Sequence, residues 1–529
     1  MIRKRTNGRV AAIGGLTATV ALLAGLPAAQ ADELADLKAN QELLQRRIDQ
    51  LAQVPRGGGT TGGAVYGTEP VPGAALVGGS FPRSFLIPGT DSSIRVGGQA
   101  DLTIDYWFTN GPTNSTPATT TLGATGQLLT MPLDIHGQTI PGFPTTGNVV
   151  PVNIQHSRGN SVYSMSPRES RLNVETRTPT SWGEARTFIE FDFAGSTGNL
   201  PNSAIHNSNN LLPRLRFAYG TLGGFLAGQA NSNFGDPDAN TEVLDFGGDT
   251  GQAGPARVPQ VRYTLAGPWG SAWSAAIEAP SGDITTPAGL VEVDTTPTPT
   301  GATATCRGVI ATGLSNTAAC ALVGNPTKTS VPDLTFASYW AQPWGHIDFK
   351  GVFRKLELVD GVLTSKSFIG YGGGISGDVK PGWFGWGKDD FVFQATAGNG
   401  ISRFIQDTSN GGIATNWLAP PTTLAAASQV RAATIPSFGT SAGYQHWWLP
   451  NLRSNISFGY LFYDIPTDII GPSQSSAQNK RLITAHANII WAPVAFIDVG
   501  LEYMYGQREV VANLKGQEQA LISKFRVKF

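Results

Sequence analysis

The chain has 529 residues, of which only 14% are charged and 40% hydrophobic, with glycine alone filling 65 positions. Soluble globular proteins carry roughly 25% charged residues, and a net charge of −1 leaves no basic surplus for nucleic acid. A mean hydropathy of −0.09 excludes a bundle of membrane helices, which needs several spans of about 20 apolar residues.

Residues 1–31 read as a secretory signal peptide. Arg3, Lys4, Arg5 and Arg9 make a positive start, an apolar run follows from Val10 to Leu26, and Ala29-Gln30-Ala31 is an A-x-A cleavage triplet. The competing reading, a retained anchor, would call for bulkier side chains in that run. In 32–54, Leu34, Leu37, Gln41, Leu44, Ile48 and Leu51 follow steps of three and four, the seam of a coiled coil. So short a helix is marginal alone, so a periplasmic coil suits a chain whose copies are already held together, with Gln41 setting register. An amphipathic helix lying on its own domain is the alternative. A Gly/Pro-rich linker, 55–83, comes next.

From 84 to 529 the pattern has period two. Ile94, Val96, Gly98, Ala100, Leu102, Ile104, Tyr106 and Phe108 share one parity, and Arg95, Gln99, Asp101, Thr103 and Asp105 the other. At the end, Phe525, Val527 and Phe529 alternate with Lys524, Arg526 and Lys528. Alternate side chains of a strand lie on opposite faces, and an apolar face backed by full charges suits a barrel with a lipid outside and a wet inside. Sixteen such segments occur, near 93–108, 170–178, 185–193, 213–220, 222–230, 260–266, 271–279, 333–341, 346–354, 367–376, 389–397, 441–448, 452–462, 481–491, 494–505 and 520–529. Long connections, among them 109–169, 231–259, 280–332, 355–366 and 398–440, alternate with short ones, among them Pro179–Gly183 and Gly377–Lys388. That asymmetry is expected of an outer-membrane barrel, with long loops outside and tight turns in the periplasm. Trp182, Trp269, Trp344 and Trp491 sit at or beside short turns, as an interfacial aromatic girdle would. The fold class is therefore all-β: a 16-stranded antiparallel transmembrane β-barrel of the porin type, preceded by a short N-terminal α-helical coiled coil.

A barrel of that strand number encloses water, so function turns on what faces inward. Nine arginines and no lysine lie between residues 158 and 262. Of these, Arg168, Arg171, Arg177, Arg186, Arg214, Arg216 and Arg262 form an expected basic ladder on one inner wall, with Phe217 and Tyr219 on the opposite, outward parity from Arg214 and Arg216. Guanidinium offers carboxylate or phosphate a planar two-point contact. Some of these arginines can instead stiffen the wall by pairing with Glu175, Glu190 and Asp192. The connection 231–256 carries Asp236, Asp238, Glu242, Asp245 and Asp249 and no base; by the strand count it joins strands five and six. As a constriction loop folded inward, its acids would face the arginines and create a transverse field. Asp236-x-Asp238-x-Asn240 opens like a calcium loop, but Thr241 and Gly247 replace the glycine and glutamate such a loop needs. Gly439–Gly443 matches G-x-S-x-G and Gly372–Gly377 matches G-x-G-x-x-G, yet neither precedes a helix. No catalytic residue, metal or cofactor is expected.

The chain resembles the DcaP-like trimeric outer-membrane porins. The resemblance is carried by SFLIPGTDSSIRVGGQADLTIDYW (84–107), SPRESRLNVETRTPTSWGEARTFIEFDFAG (166–195) and PRLRFAYGTLGGFLAGQANSNFGDPDANTEVLDFGGDTG (213–251). It implies a 16-stranded trimeric channel in the lipid of a Gram-negative outer membrane, a periplasmic coil, and diffusion of small anions such as dicarboxylates. Arg168, Arg171, Arg214 and Arg216 match the family's basic pore wall. The loops 109–165 and 280–332 depart from it, so substrate preference does not transfer. A channel for sugars or aromatic compounds, or a closed structural barrel, is the alternative to an anion-preferring pore.

Cys306 and Cys320, alone in one Thr/Gly/Ala-rich loop of an exported chain, are expected to form a disulfide. Alkylation of the unreduced, denatured protein should then find no free thiol. Replacing both by serine should leave the barrel folded, as read by its heat-dependent migration on gels.

Overall fold

The computed structural model describes residues 78–108, 162–195, 212–254, 257–285, 292–293, 306–307, 326–408, 411–417, 421, 423–470, 479–511 and 515–529. The expected signal peptide and coil, most of the expected linker, and Cys320 lie outside these residues.

Period-two alternation becomes sixteen strands: β1 Ser93–Trp107, β2 Arg171–Thr180, β3 Gly183–Gly195, β4 Leu212–Leu222, β5 Phe225–Ala230, β6 Val258–Ala266, β7 Ser271–Glu278, β8 Asp333–Gln342, β9 Gly345–Val359, β10 Ser365–Val379, β11 Asp390–Asn399, β12 Pro436–Leu449, β13 Leu452–Tyr463, β14 Asn479–Val494, β15 Ile497–Val510 and β16 Lys515–Lys528. Each pairs antiparallel with its neighbours in chain order, and β16 returns to β1 with Phe525 opposite Leu102. Closure leaves no strand edge, the condition for a sheet to cross lipid. Val96, Leu172, Ile189, Phe349, Ile369, Ile456 and Phe525 stand exposed on the outside. Both enzyme-like strings lie within strands, Gly372–Gly377 in β10 and Gly439–Gly443 in β12.

The seam between first and last strands is zipped on its inner face. Arg526 Nε donates to Asp101 at 2.9 Å, and Lys524 Nζ to both oxygens of Glu169 at 2.9 Å. Thr103 donates to both acids.

The alternation of long and short connections breaks at two places: β15 runs on to Val510 and β16 begins at Lys515, so the expected long connection 506–519 is short, and a second break lies between β9 and β11. β9 runs on to Val359 and β10 begins at Ser365, so the expected long connection 355–366 is a tight turn. Its cause is Asp360, whose Oδ1 accepts the backbone N–H groups of Val362, Leu363 and Thr364. The expected short connection 377–388 is the longer segment between Val379 and Asp390, built around a 3₁₀ turn at Trp383–Gly385.

Two long connections fold into the barrel and build a hydrophobic core there. From the β5–β6 connection come Phe234 and Leu244, and from the β11–β12 connection come Ile401, Phe404 and Ile405. They bury against inward Val352, Leu461, Leu482, Met504 and Ile522. Phe234 and Phe404 meet edge-on at 5.3 Å, and Ala253 bridges Ile405. The wall makes room with glycine. A Cβ on Gly459 would stand 2.5 Å from Thr250 O, and one on Gly500 2.7 Å from Leu244 Cδ1. Both lie under ordinary contact distance.

The seam yields a prediction. Glu169→Ala leaves the buried Lys524 ammonium without its carboxylate, a cost of about 3–5 kcal/mol. The unfolding midpoint of the detergent-solubilised barrel in denaturant should fall accordingly. An unchanged midpoint would remove the seam pair from the account of closure.

Candidate functional site

The inner wall of β1–β4 holds two ion-pair groups. In the first, near the periplasmic turn, Glu175 is fully buried among three arginines: Arg95 at 2.6 Å, Arg177 at 2.8 Å and Arg186 at 2.7 Å. Phe81, just before β1, lies under the guanidiniums of Arg95 and Arg177. In the second, Asp192 accepts two hydrogen bonds from Arg214, at 3.0 and 2.6 Å, and one from Arg216 at 2.9 Å. Arg216 also donates to Glu190 at 2.6 Å.

Four further arginines have no ion pair among the described residues: Arg168, Arg171, Arg257 and Arg262. Arg171 faces Asp192 in register, but its Nε is buried without a hydrogen-bond partner, as is that of Arg262. Arg168 lies in the turn before β2, its guanidinium 4.3 Å from the Phe246 ring centre. Arg257, just before β6, stands 5.7 Å from the Phe217 ring, which also carries Arg216 at 6.0 Å. Burial first, then Arg216 and Arg214, pull the Arg257 guanidinium below its ordinary pKa. Around Asp192, five arginines (168, 171, 214, 216 and 257) thus stand against the carboxylates of Glu190 and Asp192, leaving a surplus of positive charge.

One sequence expectation is corrected on β4. Phe217 and Tyr219 do not take the outward parity opposite Arg214 and Arg216. Glu190 pairs with Phe217 and Phe191 with Leu215, so Arg216 is the extra residue of a β-bulge. Beyond it every side chain changes face. Phe217 and Tyr219 turn inward beside Phe188, with ring centres 5.8 Å from it. Gln229 on β5 satisfies the carbonyls of Leu215 and Arg216 at the bulge.

The loop 231–256 is tied along the inner wall by strand after strand. Glu278 on β7 accepts Ser232 Oγ and the Asn233 N–H. Asp236 meets His346 Nε2 at 2.9 Å and the Ser376 hydroxyl. Burial alone would raise its carboxyl, but Lys350, His346 and Ser376 hold it well below the usual range. Glu242 accepts Arg453, Gln445 and Asn455. Asp249 accepts the hydroxyls of Thr241 and Thr484, and Glu502 accepts the backbone N–H groups of Leu244 and Asp245. The loop acids expected to face the arginines are therefore turned away: Asp236, Glu242 and Asp249 bind the far wall, where the cations Lys350, Arg453 and the histidines lie. Asp238 and Asp245 stay half-exposed. Asp245 accepts the Gly247 N–H. What meets the basic wall is Phe246, 4.3 Å from Arg168 and 5.6 Å from Arg214. Sequence reasoning missed it, and a lone ring in an acidic, glycine-rich stretch was the available signal.

Among the described residues no cluster of side chains could hold a metal ion. Cys306 lies in a two-residue strand paired with Glu292–Val293, and its partner position is not described.

Comparison with known proteins agrees with this architecture. The family profile "Porin subfamily" matches residues 83–354, and "DcaP outer membrane protein" matches 433–527. No curated protein matches the chain in sequence. Among solved structures, the outer membrane channel DcaP of Acinetobacter baumannii superposes with a TM-score of 0.56 at 19% identity, over 86% of this chain and 100% of that one. An anion-selective porin from Comamonas acidovorans gives 0.43 at 8% identity, over 83% and 100%. OmpT of Vibrio cholerae gives 0.42 at 9% identity, over 83% and 98%. Since one profile alone spans half of its length, the chain belongs to the porin subfamily and is an outer-membrane channel for passive diffusion of small solutes, with the fold seen in DcaP.

Proposed function

We propose that the channel, as a homotrimer, prefers small organic anions, dicarboxylates among them. The observation that carries this reading is the set of wall arginines without an ion pair among the described residues, Arg168, Arg171, Arg257 and Arg262, the first three of them beside the ion-paired Arg214 and Arg216. A guanidinium keeps its charge at any physiological pH, and confined charges of one sign raise the local concentration of counter-ions. Arg177 and Arg186 enter this reading as ion-paired members of the wall, held with Arg95 on Glu175, with Glu184 3.5 Å from Arg177. The inward group of Phe188, Phe217 and Tyr219 supports a second reading, a channel favouring solutes with a ring. Low-concentration current block by one such solute would favour it.

Arg171→Ala with Arg257→Ala should sharply reduce anion preference, read from the reversal potential in a salt gradient. Each charge within a few ångströms of a passing ion contributes about 1–4 kcal/mol, and the low end is already near a tenfold change in occupancy. The effect should be largest at low salt, where screening is weak. Lysine at both positions should restore the potential while weakening block by dicarboxylates, because the planar fork is lost. An unchanged reversal potential in the double alanine variant would place selectivity elsewhere.

Phe246→Ala removes the ring between the loop and Arg168. Single-channel conductance should rise while the sign of the reversal potential stays the same. Unaltered conductance would mean that the ring does not border the narrowest passage.

A further inference from the structure

The tip of the inward loop, 244–249, is held at its two ends by carboxylates, Glu502 and Asp249, that flank a single buried imidazole. His486, on the inner face of β14, has Nδ1 hydrogen-bonded to Glu502 Oε1 at 3.0 Å, and Nε2, buried without a hydrogen-bond partner, 3.5 Å from Asp249 Oδ1. Glu502 accepts the N–H groups of Leu244 at 2.6 Å and Asp245 at 3.0 Å, which holds one end of the tip. Asp249, tied to Thr241 and Thr484, holds the other. Between them Phe246 stands before Arg168.

The chemistry of this arrangement demands a particular protonation. A carboxylate can only accept hydrogen bonds, and a neutral imidazole has one N–H and one lone pair. With both ring nitrogens turned to carboxylates, only the doubly protonated ring faces each favourably. Among the described residues the ion pairs of Asp249 and Glu502 are with His486 alone. The strand neighbours opposite His486 are Ser457 on β13 and Met504 on β15, neither of them charged. The loop contributes Asp245 as a further negative group. A ring without its second proton would leave these buried carboxylates with no opposing charge, the costly state for an interior ion. The other histidine that meets this loop, His346 on β9, meets one carboxylate through one nitrogen, so its neutral form can still donate.

We propose that His486 is a positioning residue for the constriction: as a cation between Glu502 and Asp249 it holds the loop tip that carries Phe246, and loss of its proton frees that tip. The inference rests on the reading of this loop as bordering the conduction path.

Planar-bilayer recordings of the full-length protein from about pH 5.5 to about pH 9 cover the titration of a histidine, ordinarily near 6.5. The wild type should pass from a quiet current at the acid end to a noisier, larger one at the alkaline end. His486→Gln should be noisy at every pH, and His486→Lys, with a fixed cation, quiet well into the alkaline range. Asp249→Asn should also remain quiet, because the asparagine amide can donate to a neutral ring. His346→Gln should leave the transition in place. If His486→Gln keeps the wild-type transition, or His346→Gln abolishes it, the proposal is overturned. Should His486→Gln fail to assemble, the lysine and asparagine variants decide: a wild-type transition in both overturns it. All variants should keep the wild-type reversal potential at the acid end. A wild type without anion preference would instead count against the proposed function and leave the pH test standing.

Discussion

A charged group on the inner wall of a membrane barrel has two stable surroundings, a counter-charge on the same wall or water. Burial without either is expensive, and this constraint sorts the arginines of the wall. Glu175, buried among Arg95, Arg177 and Arg186, draws three guanidiniums into one structural group at the periplasmic end. Asp192 and Glu190 take up Arg214 and Arg216. Once the wall acids are committed, Arg168, Arg171, Arg257 and Arg262 remain without an ion pair among the described residues. The arginines proposed to favour anions are those that the wall acids leave without an ion pair.

The same constraint decides where the inward loop lies. Its five acids have no base within the loop, and three of them, Asp236, Glu242 and Asp249, go where cations are available, to Lys350 and His346, Arg453, and His486 on the strands from β9 to β14. Facing the arginine wall across open lumen would have left them exposed to water on one side and unpaired at the backbone on the other. Docked on the far wall, they also secure the loop's N–H groups through Glu278 and Glu502. Positive charge stays on β2 to β6 and most of the loop's negative charge is neutralised opposite. The field across the lumen thus owes more to surplus arginine than to a matched pair of walls.

All sixteen strands were legible in the sequence, because lipid on one face and water on the other impose period two over nearly every segment. The bulge at Arg216 was not. One inserted residue reverses the facing of Phe217 and Tyr219, yet LRFAYG continues to alternate in either phase. The direction of the loop acids was hidden for a different reason. Their partners Arg453 and His486 stand more than 200 residues away in the chain, and nothing local marks them. Arg257 was counted among the arginines but left off the wall, since it precedes its strand and only the fold brings it to Phe217. The short turn at 360–364 was missed because a single Asp360 replaces the long loop that composition suggested.

One regularity of the inner face does carry structural information in advance. On β1 to β3 the inward positions include Arg95, Gln99, Asp101, Glu175, Arg186 and Asp192, as water requires, with Phe188 and, past the bulge on β4, Phe217 and Tyr219 as the aromatic exception. On β13 to β16 the same parity holds Leu461, Leu482, Met504, Ala520 and Ile522, all almost wholly buried. Apolar residues on the lumen side cannot be there for lipid, which lies on the other face, and against water they would be a loss. They are explained only by protein packed inside, and Phe234, Leu244, Ile401, Phe404 and Ile405 supply it. Glycines on these strands, Gly459 and Gly500, mark where the incoming backbone or Leu244 touches the wall. A barrel strand that turns apolar on both faces, with glycine between, therefore points to a loop lying against it. By that rule half of this barrel is a folded core and the other half, lined by arginine, is the side left for the solute.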